Sequence, residues 1–325
     1  RPELDAQHFV KFNYWDAGRK GLLSGESLYL DVKRMEMAYH ENNRRELELT
    51  RHVSLRQLDP LALLTLKAIG TCQVTIPEWL YDRDCPGHYM RRIKSVAVSI
   101  PSVAGPYTNV SCTLSLLRST VRRSAISGET GEDYLRRSED DRFVDYAGAI
   151  QSIVTSTGSN DGGLFETSLR DERFLPFEGA GAVGTWKLEL PEDFRAFDYA
   201  TISDVILHIR YTARQGVDRR KVAQALDAFF SAQESNLALL FSLRHDFPSE
   251  WAAFVNGADG APLAVAIRKD YFPYFTQGKT LTPTVVDLYD GRDLKHHGIA
   301  VSETAKDDLN GPAQRFTLQI AEDTS

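Results

Sequence analysis

The alternating stretch VILHIRYT at residues 205–212 decides the fold class. Apolar residues occupy every second position from Val205 to Tyr211, and polar residues fill most of the positions between them. A period of two is typical of a β-strand that buries one side and exposes the other. We therefore predict a half-buried strand here.

The same period of two recurs along most of the chain. It is found in VAVSI (96–100), VSCTLSL (110–116), WKLEL (186–190) and FTLQI (316–320), and more weakly around 263–268, 284–289 and 298–302. Half-buried strands separated by Gly and Pro favour antiparallel sheets packed face to face. No strand–helix unit repeats, which argues against a doubly wound α/β fold. The predicted class is α+β, mainly an antiparallel β-sandwich with an N-terminal helical segment and one inserted helix.

Helical patterns are concentrated near the amino terminus. From Ser24 to Thr50 almost no helix breakers occur, and an apolar stripe at helical spacing predicts one long helix with a charged end that packs on a neighbour. That stripe consists of Leu28, Val32, Met35 and Tyr39. A shorter helix is predicted from Asp59-Pro60 to Gly70, and the inserted helix follows Asp218. We predict two domains: a helical segment over 1–70 and a β-rich sandwich over 71–325.

Composition narrows the class of protein. The 325 residues include 38 Lys and Arg against 45 Asp and Glu, a net charge of −7, which disfavours a dedicated nucleic-acid binder. No run of 18 apolar residues occurs, and residues 1–15 do not resemble a secretory signal peptide. The chain lacks an initiating Met, so we interpret it as part of something longer. The three cysteines form no CxxC pair and are interpreted as buried structural residues.

One glycine motif could indicate either a nucleotide-binding site or a purely structural role. Residues 179–184, GAGAVG, match the dinucleotide fingerprint GxGxxG. That fingerprint needs a strand before the glycines and a helix after them. Here Pro176 precedes the glycines and the alternating WKLEL follows them. We therefore predict a lead-in to a strand and no nucleotide site.

An acidic loop leaves a carbohydrate alternative open. Five carboxylates lie there: Asp161, Glu166, Asp171, Glu172 and Glu178. With Trp79 and Trp186 as stacking platforms they could serve a sugar-binding sandwich or a glycosidase. Local ion pairing with Arg170 and Arg173 explains the same residues. The histidines and cysteines show no zinc spacing and no nucleophile motif occurs, so we predict no enzyme, no metal and no cofactor.

Longer blocks resemble a known family. They are GLLSGE (21–26), DCPGHYMRRIKSV (84–96), GPYTNV (105–110), DRFVDY (141–146), QSIVTS (151–156), NDGGLFE (160–166), LRDERFLPFEG (169–179) and ISDVILHIRYTAR (202–214). Together they resemble the carboxy-terminal region of the A subunit of bacterial insecticidal Tc toxin complexes, including its B-subunit-binding domain. The segment from Gly21 to Tyr39 is similar to the helices just upstream. The resemblance thins after about Trp251.

The resemblance implies a structural and binding role. In that family the A subunit is a homopentamer whose helices form a translocation channel and whose end domains dock the cocoon of B and C subunits. Docking lets the toxic fragment of the C subunit enter the channel, and no catalytic residue is assigned to the docking domain. The expected partner is thus the B subunit, with secretion from the bacterium and contact with the host membrane only through the parent assembly.

Two long loops are the candidate partner surface. Residues 127–142 are almost wholly charged or small, and residues 155–178 are rich in Gly, Asp and Arg. Long loops in a compact fold are usually functional or mobile. The predicted partner-binding residues are Asn160, Asp161, Glu166, Arg170, Asp171, Arg173, Arg136 and Arg137.

Overall fold

The computed structural model confirms the α+β class, with antiparallel sheets and several helices. The structure describes residues 8–11, 14, 22–43, 45–105, 108, 110–126, 131–137, 140–146, 151–154, 164–166, 176–191, 195–216, 219–232, 238–258, 262–276, 278–283, 285–289, 296–300, 309–312 and 314–320. Thirteen strands and seven α-helices are formed within these ranges.

The strands are β1 (Leu47–Ser54), β2 (Thr71–Ile76), β3 (His88–Ser99), β4 (Thr113–Arg122), β5 (Phe143–Tyr146), β6 (Gln151–Val154), β7 (Leu164–Glu166), β8 (Val183–Glu189), β9 (Ile206–Gln215), β10 (Leu263–Arg268), β11 (Val285–Tyr289), β12 (His296–Ala300) and β13 (Arg315–Ile320). The helices are α1 (Leu22–Glu41), α2 (Leu55–Leu58), α3 (Pro60–Ile69), α4 (Glu78–Asp84), α5 (Arg219–Ala232), α6 (Leu243–Asp246) and α7 (Pro248–Val255). Short 3-10 turns lie at Gly131–Tyr134, Tyr199–Thr201, Lys269–Tyr271 and Tyr274–Thr276.

Two sheets form the sandwich. The first has the strand order β1-β9-β3-β7, and the second has the order β2-β8-β4-β5 with β6 also paired to β4. Their inward-facing apolar residues merge in one core, which includes Val98, Leu114, Trp186 and Ile209. All four of these side chains are almost fully buried. The alternating stretch from Val205 to Tyr211 thus behaves as the sequence predicts, because its apolar side faces the opposite sheet.

The predicted helix over Ser24–Thr50 is wrong beyond Glu41. Helix α1 ends at Glu41, and β1 begins at Leu47 and pairs with β9. The charged residues that suggest a helix surface have partners on the sheet instead: Glu46 pairs with Arg92 and Arg214, and Glu48 pairs with Lys94. Because β1 belongs to the first sheet, some of residues 1–70 join the sandwich. The division into 1–70 and 71–325 stays a prediction.

Helix α3 confirms its capping signals, whereas Asp218, the predicted start of the inserted helix, lies outside the described residues. In α3 the Asp59 carboxylate accepts a hydrogen bond from the Ala62 amide, and Gly70 ends the helix with φ 79°. Helices commonly end at a glycine with a positive φ, because glycine has no Cβ to oppose this left-handed conformation. The inserted helix is α5, which buries Val222 and Ala225 beside the turn that contains Tyr134.

Residues after about 240 form a second apolar core. Phe247, Val265 and Leu318 belong to it, and the pair β10–β13 provides its backbone ladder. Polar contacts join this part to the sandwich. Among them, the Arg56 guanidinium lies 2.5 Å from the Asp246 carboxylate, and the Tyr274 hydroxyl donates to Asp84.

The glycine motif is structural. Gly181 and Gly184 lie where β8 and its lead-in pass close to β4, and a Cβ on either would approach a backbone oxygen of β4: Thr120 O at 2.2 Å from residue 181, or Arg118 O at 2.3 Å from residue 184. Strand β8, not a helix, follows the glycines. The predicted strand is confirmed.

Alanine at either glycine tests this close approach. We expect Gly181→Ala and Gly184→Ala each to lower the free energy of unfolding by about 1–3 kcal/mol, because the two strands must separate to admit a methyl group. The matched control is Gly25→Ala in α1, where nothing lies within 4 Å of the added Cβ. The control should be neutral or stabilising by at most about 1 kcal/mol. Urea denaturation measures all three, and equal stability of the three variants would contradict the explanation.

Candidate partner-binding site

The structure describes three of the eight predicted partner-binding residues. Arg136 and Arg137 lie together just after the turn Gly131–Tyr134. Glu166 is the last residue of β7, at the register position opposite Ala97 of β3. The other predicted residues lie outside the described ranges: Asn160, Asp161, Arg170, Asp171 and Arg173. The site that can be built from contacts is therefore the region 131–146.

Arg136 belongs to a surface ion cluster centred on Asp145. The Asp145 carboxylate accepts from the Arg136 guanidinium at 2.5 Å, from Arg118 at 3.0 Å and from the Thr120 hydroxyl at 2.6 Å. Partial burial would raise the pKa of Asp145, but these hydrogen bonds outweigh it and hold the pKa at about 2. The cluster thus keeps its charges in mildly acidic solution.

Arg137 is the more open of the two cations. Its side chain is 72% exposed and its closest carboxylate in the described residues, Glu132, lies 3.9 Å away and is itself 73% exposed. A pair this exposed and this long contributes little to stability. Arg137 is therefore available to a partner at small structural cost.

Arg142 fixes the shape of the segment that carries these cations. Its guanidinium binds the Asp140 carboxylate at 2.6 Å and Asp133 at 2.9 Å, and it donates to the Leu135 carbonyl at 3.0 Å. The hydrogen bonds from Arg142 hold the pKa of Asp140 well below its usual range. These bonds hold the described part of residues 131–146 in one conformation, and we call it the pinned segment.

A buried ion cluster anchors this surface to both sheets. The Glu78 carboxylate at the start of α4 binds Arg91 of β3 and Arg122 of β4, each at 3.1 Å. Arg91 also binds Asp82 at 2.5 Å, and Asp82 accepts from the Tyr134 hydroxyl at 3.1 Å. Burial raises the pKa of Glu78, while the two guanidinium groups oppose the shift.

Sequence reasoning missed this cluster. The available signal was the i, i+4 spacing of Glu78 and Asp82, which places both carboxylates on one face of a short helix. Their partners lie in strands, so only the pairing of the sheets brings the four charges together. Phe143 connects the buried cluster to the surface, because the guanidinium groups of Arg122, Arg136 and Arg142 lie 5.1–5.6 Å from its ring.

The tryptophans do not form a sugar-binding platform. Trp186 is fully buried against Phe177, with ring centroids 5.1 Å apart. Trp79 is half-buried and packs edge-on against Phe230 at 5.2 Å. The idea that Trp186 stacks on a sugar is therefore wrong, because its ring is part of the sandwich core. Within the described ranges no three His, Cys, Asp or Glu residues are grouped to hold a metal ion, and no helix is long and apolar enough to cross a membrane.

Comparison with known proteins identifies the family. Residues 2–213 match the family described as the Tc toxin complex TcA C-terminal TcB-binding domain. The chain belongs to this family. The match includes Arg136 and Arg137 and ends within β9, so α5 and the second core lie beyond it.

The chain is also similar to individual proteins. The chain is 37% identical over 220 residues to toxin subunit YenA2 of Yersinia entomophaga, which covers 66% of this chain and 16% of YenA2. It is 25% identical to a chain in the cryo-EM structure of Yersinia pseudotuberculosis TcaA-TcaB, with a TM-score of 0.41 over 66% of this chain and 12% of that one. The cryo-EM structure of Morganella morganii TcdA4 gives 25% identity and a TM-score of 0.40 over 65% of this chain and 9% of that chain. The chain thus spans about a sixth or less of the length of these relatives.

Proposed function

We propose that this chain is the part of a TcA-type subunit that docks the TcB subunit. The match of residues 2–213 to the TcB-binding-domain family carries the proposal. In the parent assembly, docking the cocoon of B and C subunits passes the toxic fragment into the channel of the A subunit. The role is non-enzymatic, and the parent toxin is secreted and meets the host membrane as an assembled pore.

The charged surface of residues 131–146 suits a docking role. Asp145 fixes the guanidinium groups of Arg136 and the neighbouring Arg118. Arg142 holds the backbone just before Arg136 and Arg137 by donating to the Leu135 carbonyl. Fixed charges at a rim set the register of docking and raise the association rate. A pinned segment also loses little conformational entropy when a partner binds.

Helix α1 supports assembly with further helices. The helix extends over Leu22–Glu41, and three of the four predicted stripe residues are open to solvent. Val32, Met35 and Tyr39 are 39–46% exposed, and Leu28 is half-buried. Tyr29 and Met37 are about 60% exposed on other sides of the helix. A helix that exposes large apolar residues around its circumference is stabilised by packing against other helices. We propose that α1 packs in the homopentamer of the full-length subunit.

A double variant of Arg136 and Arg137 tests the docking proposal. We expect the double variant Arg136→Ala, Arg137→Ala to weaken TcB binding by about tenfold or more, mostly through a slower association rate with a weaker dependence on salt. The matched control is Lys279→Ala, because Lys279 is also an exposed cation paired with a carboxylate, Asp227 at 3.2 Å, and lies beyond the family match. Surface plasmon resonance at two salt concentrations measures both.

The second candidate loop, residues 155–178, is tested in the same assay. Replacing Arg170, Asp171 and Arg173 with alanine should also weaken binding while the fold is retained by circular dichroism. Native affinity in both loop variants would contradict the proposed surface. Unfolding of the triple variant would favour a structural role for those residues.

A further inference from the structure

The outer face of the first sheet carries a pair of histidines on neighbouring strands. His52 of the edge strand β1 lies directly opposite His208 of β9 in the antiparallel register. Their Nδ1 atoms share a hydrogen bond of 2.6 Å, in which the protonated ring nitrogen donates to the other, and the ring centroids are 4.8 Å apart. Directly opposed residues of an antiparallel pair point to the same face of the sheet. Both imidazoles therefore present the same nitrogen to one point on the surface.

The second ring nitrogen of His208 is already bound. Its Nε2 lies 2.7 Å from the Ser99 hydroxyl of β3, which is the third strand in line. In protein metal sites a ligating histidine usually gives its other N–H to an oxygen acceptor, which fixes the ring orientation. Ser99 occupies that position here and turns Nδ1 of His208 toward His52.

The surroundings leave the pair accessible. His52 is exposed and His208 is half-buried. Two residues along on the same face, Thr50 lies opposite Arg210, and Glu48, which forms a 2.8 Å pair with Lys94, lies two residues beyond Thr50. On the other side, the Asp204 carboxylate accepts from the Ser54 hydroxyl at 2.5 Å. Both carboxylates already accept a hydrogen bond or an ion pair, and the histidine nitrogens are local donors suited to a metal ion.

We propose that His52 and His208 form a two-ligand site for a divalent transition-metal ion of the zinc, copper and nickel class, which links the edge strand β1 to β9. Imidazole nitrogen is a preferred ligand for these ions. Metal–nitrogen bonds of about 2.0–2.1 Å place two ligand nitrogens roughly 3 Å apart. Rotation of the exposed His52 ring increases the distance between the two Nδ1 atoms from 2.6 Å to this value. Since the described residues hold no group of three ligands, the other coordination positions face solvent.

Metal titration of the full chain tests the site. Isothermal titration with Ni²⁺ or Zn²⁺ should show one site, and Zn²⁺ should raise Tm. The variants His52→Ala and His208→Ala should each lose this binding to the same extent as the double variant, because one imidazole alone does not chelate. Acidification should weaken binding, since the imidazoles must be neutral to bind.

Two further variants separate a built site from adventitious surface binding. His245→Ala removes an exposed histidine of α6 and should leave the affinity unchanged. Ser99→Ala should weaken the affinity by about 10–100-fold with unchanged stoichiometry. Native affinity in either His52→Ala or His208→Ala overturns the proposal, and so does an equal loss in His245→Ala. TcB binding is measured separately, so the site and the docking function can fail independently.

Discussion

Replacing Glu78 with glutamine should lower the free energy of unfolding by about 3–5 kcal/mol, the usual cost of removing one partner from a buried ion pair. The Glu78 carboxylate lies between Arg91 and Arg122, and all three side chains are less than 10% exposed. Glutamine keeps the size of the side chain and removes its charge. The two arginines would then share Asp82 and Asp133 as their remaining carboxylates.

The matched control is Glu132→Gln. Glu132 forms the exposed 3.9 Å pair with Arg137, so its loss should change stability by less than about 0.5 kcal/mol. Urea denaturation followed by circular dichroism gives both values. Because the cluster positions residues 131–137, Glu78→Gln should also weaken TcB binding at concentrations of urea where the chain is still folded. Equal stability of the two variants would show that the buried cluster does not support the fold.

Trp186→Ala is the second change with a large expected effect. Trp186 is fully buried at the centre of the sandwich and packs against Phe177. Truncation of a buried tryptophan leaves a cavity and costs about 3–5 kcal/mol. Tyr29→Ala on α1 is the control, because Tyr29 is 60% exposed and its loss should be within about 0.5 kcal/mol in the isolated chain.

Thermal unfolding of these two variants also bears on the carbohydrate alternative. A ring that serves the core is needed for folding, whereas a ring that stacks on sugar is exposed and dispensable for folding. A native Tm for Trp186→Ala, together with sugar-dependent quenching of tryptophan fluorescence that is present in the native chain and lost in Trp186→Ala, would restore the carbohydrate interpretation.

The strands could be predicted where apolar residues occupy every second position of the local sequence. Val205 to Tyr211 and Trp186 to Leu190 alternate cleanly, and each lies in or beside a strand with its apolar side inside. Strand β1 was missed because Glu46 and Glu48 look like a helix surface, although their cationic partners come from strands far away in sequence. Charge pairing across a sheet has no local signature, so a helix period was the simpler interpretation.

The candidate site was predictable only at its surface. The charge and length of residues 127–142 indicated Arg136 and Arg137, which the structure places on one pinned segment. The anchor beneath them depends on four elements that meet only in the fold: α4, β3, β4 and the turn at Gly131–Tyr134. The pair His52–His208 was missed for the same reason, because its members are 156 residues apart in sequence.

The measurement that tests the central claim most directly is the affinity of this chain for a purified TcB subunit. The proposal predicts saturable binding with Kd in about the micromolar range or tighter, as for interfaces of standard size. It also predicts that Lys279→Ala binds like the native chain and that the Arg136→Ala, Arg137→Ala variant binds more weakly. A folded native chain that shows no saturable binding to TcB would contradict the account.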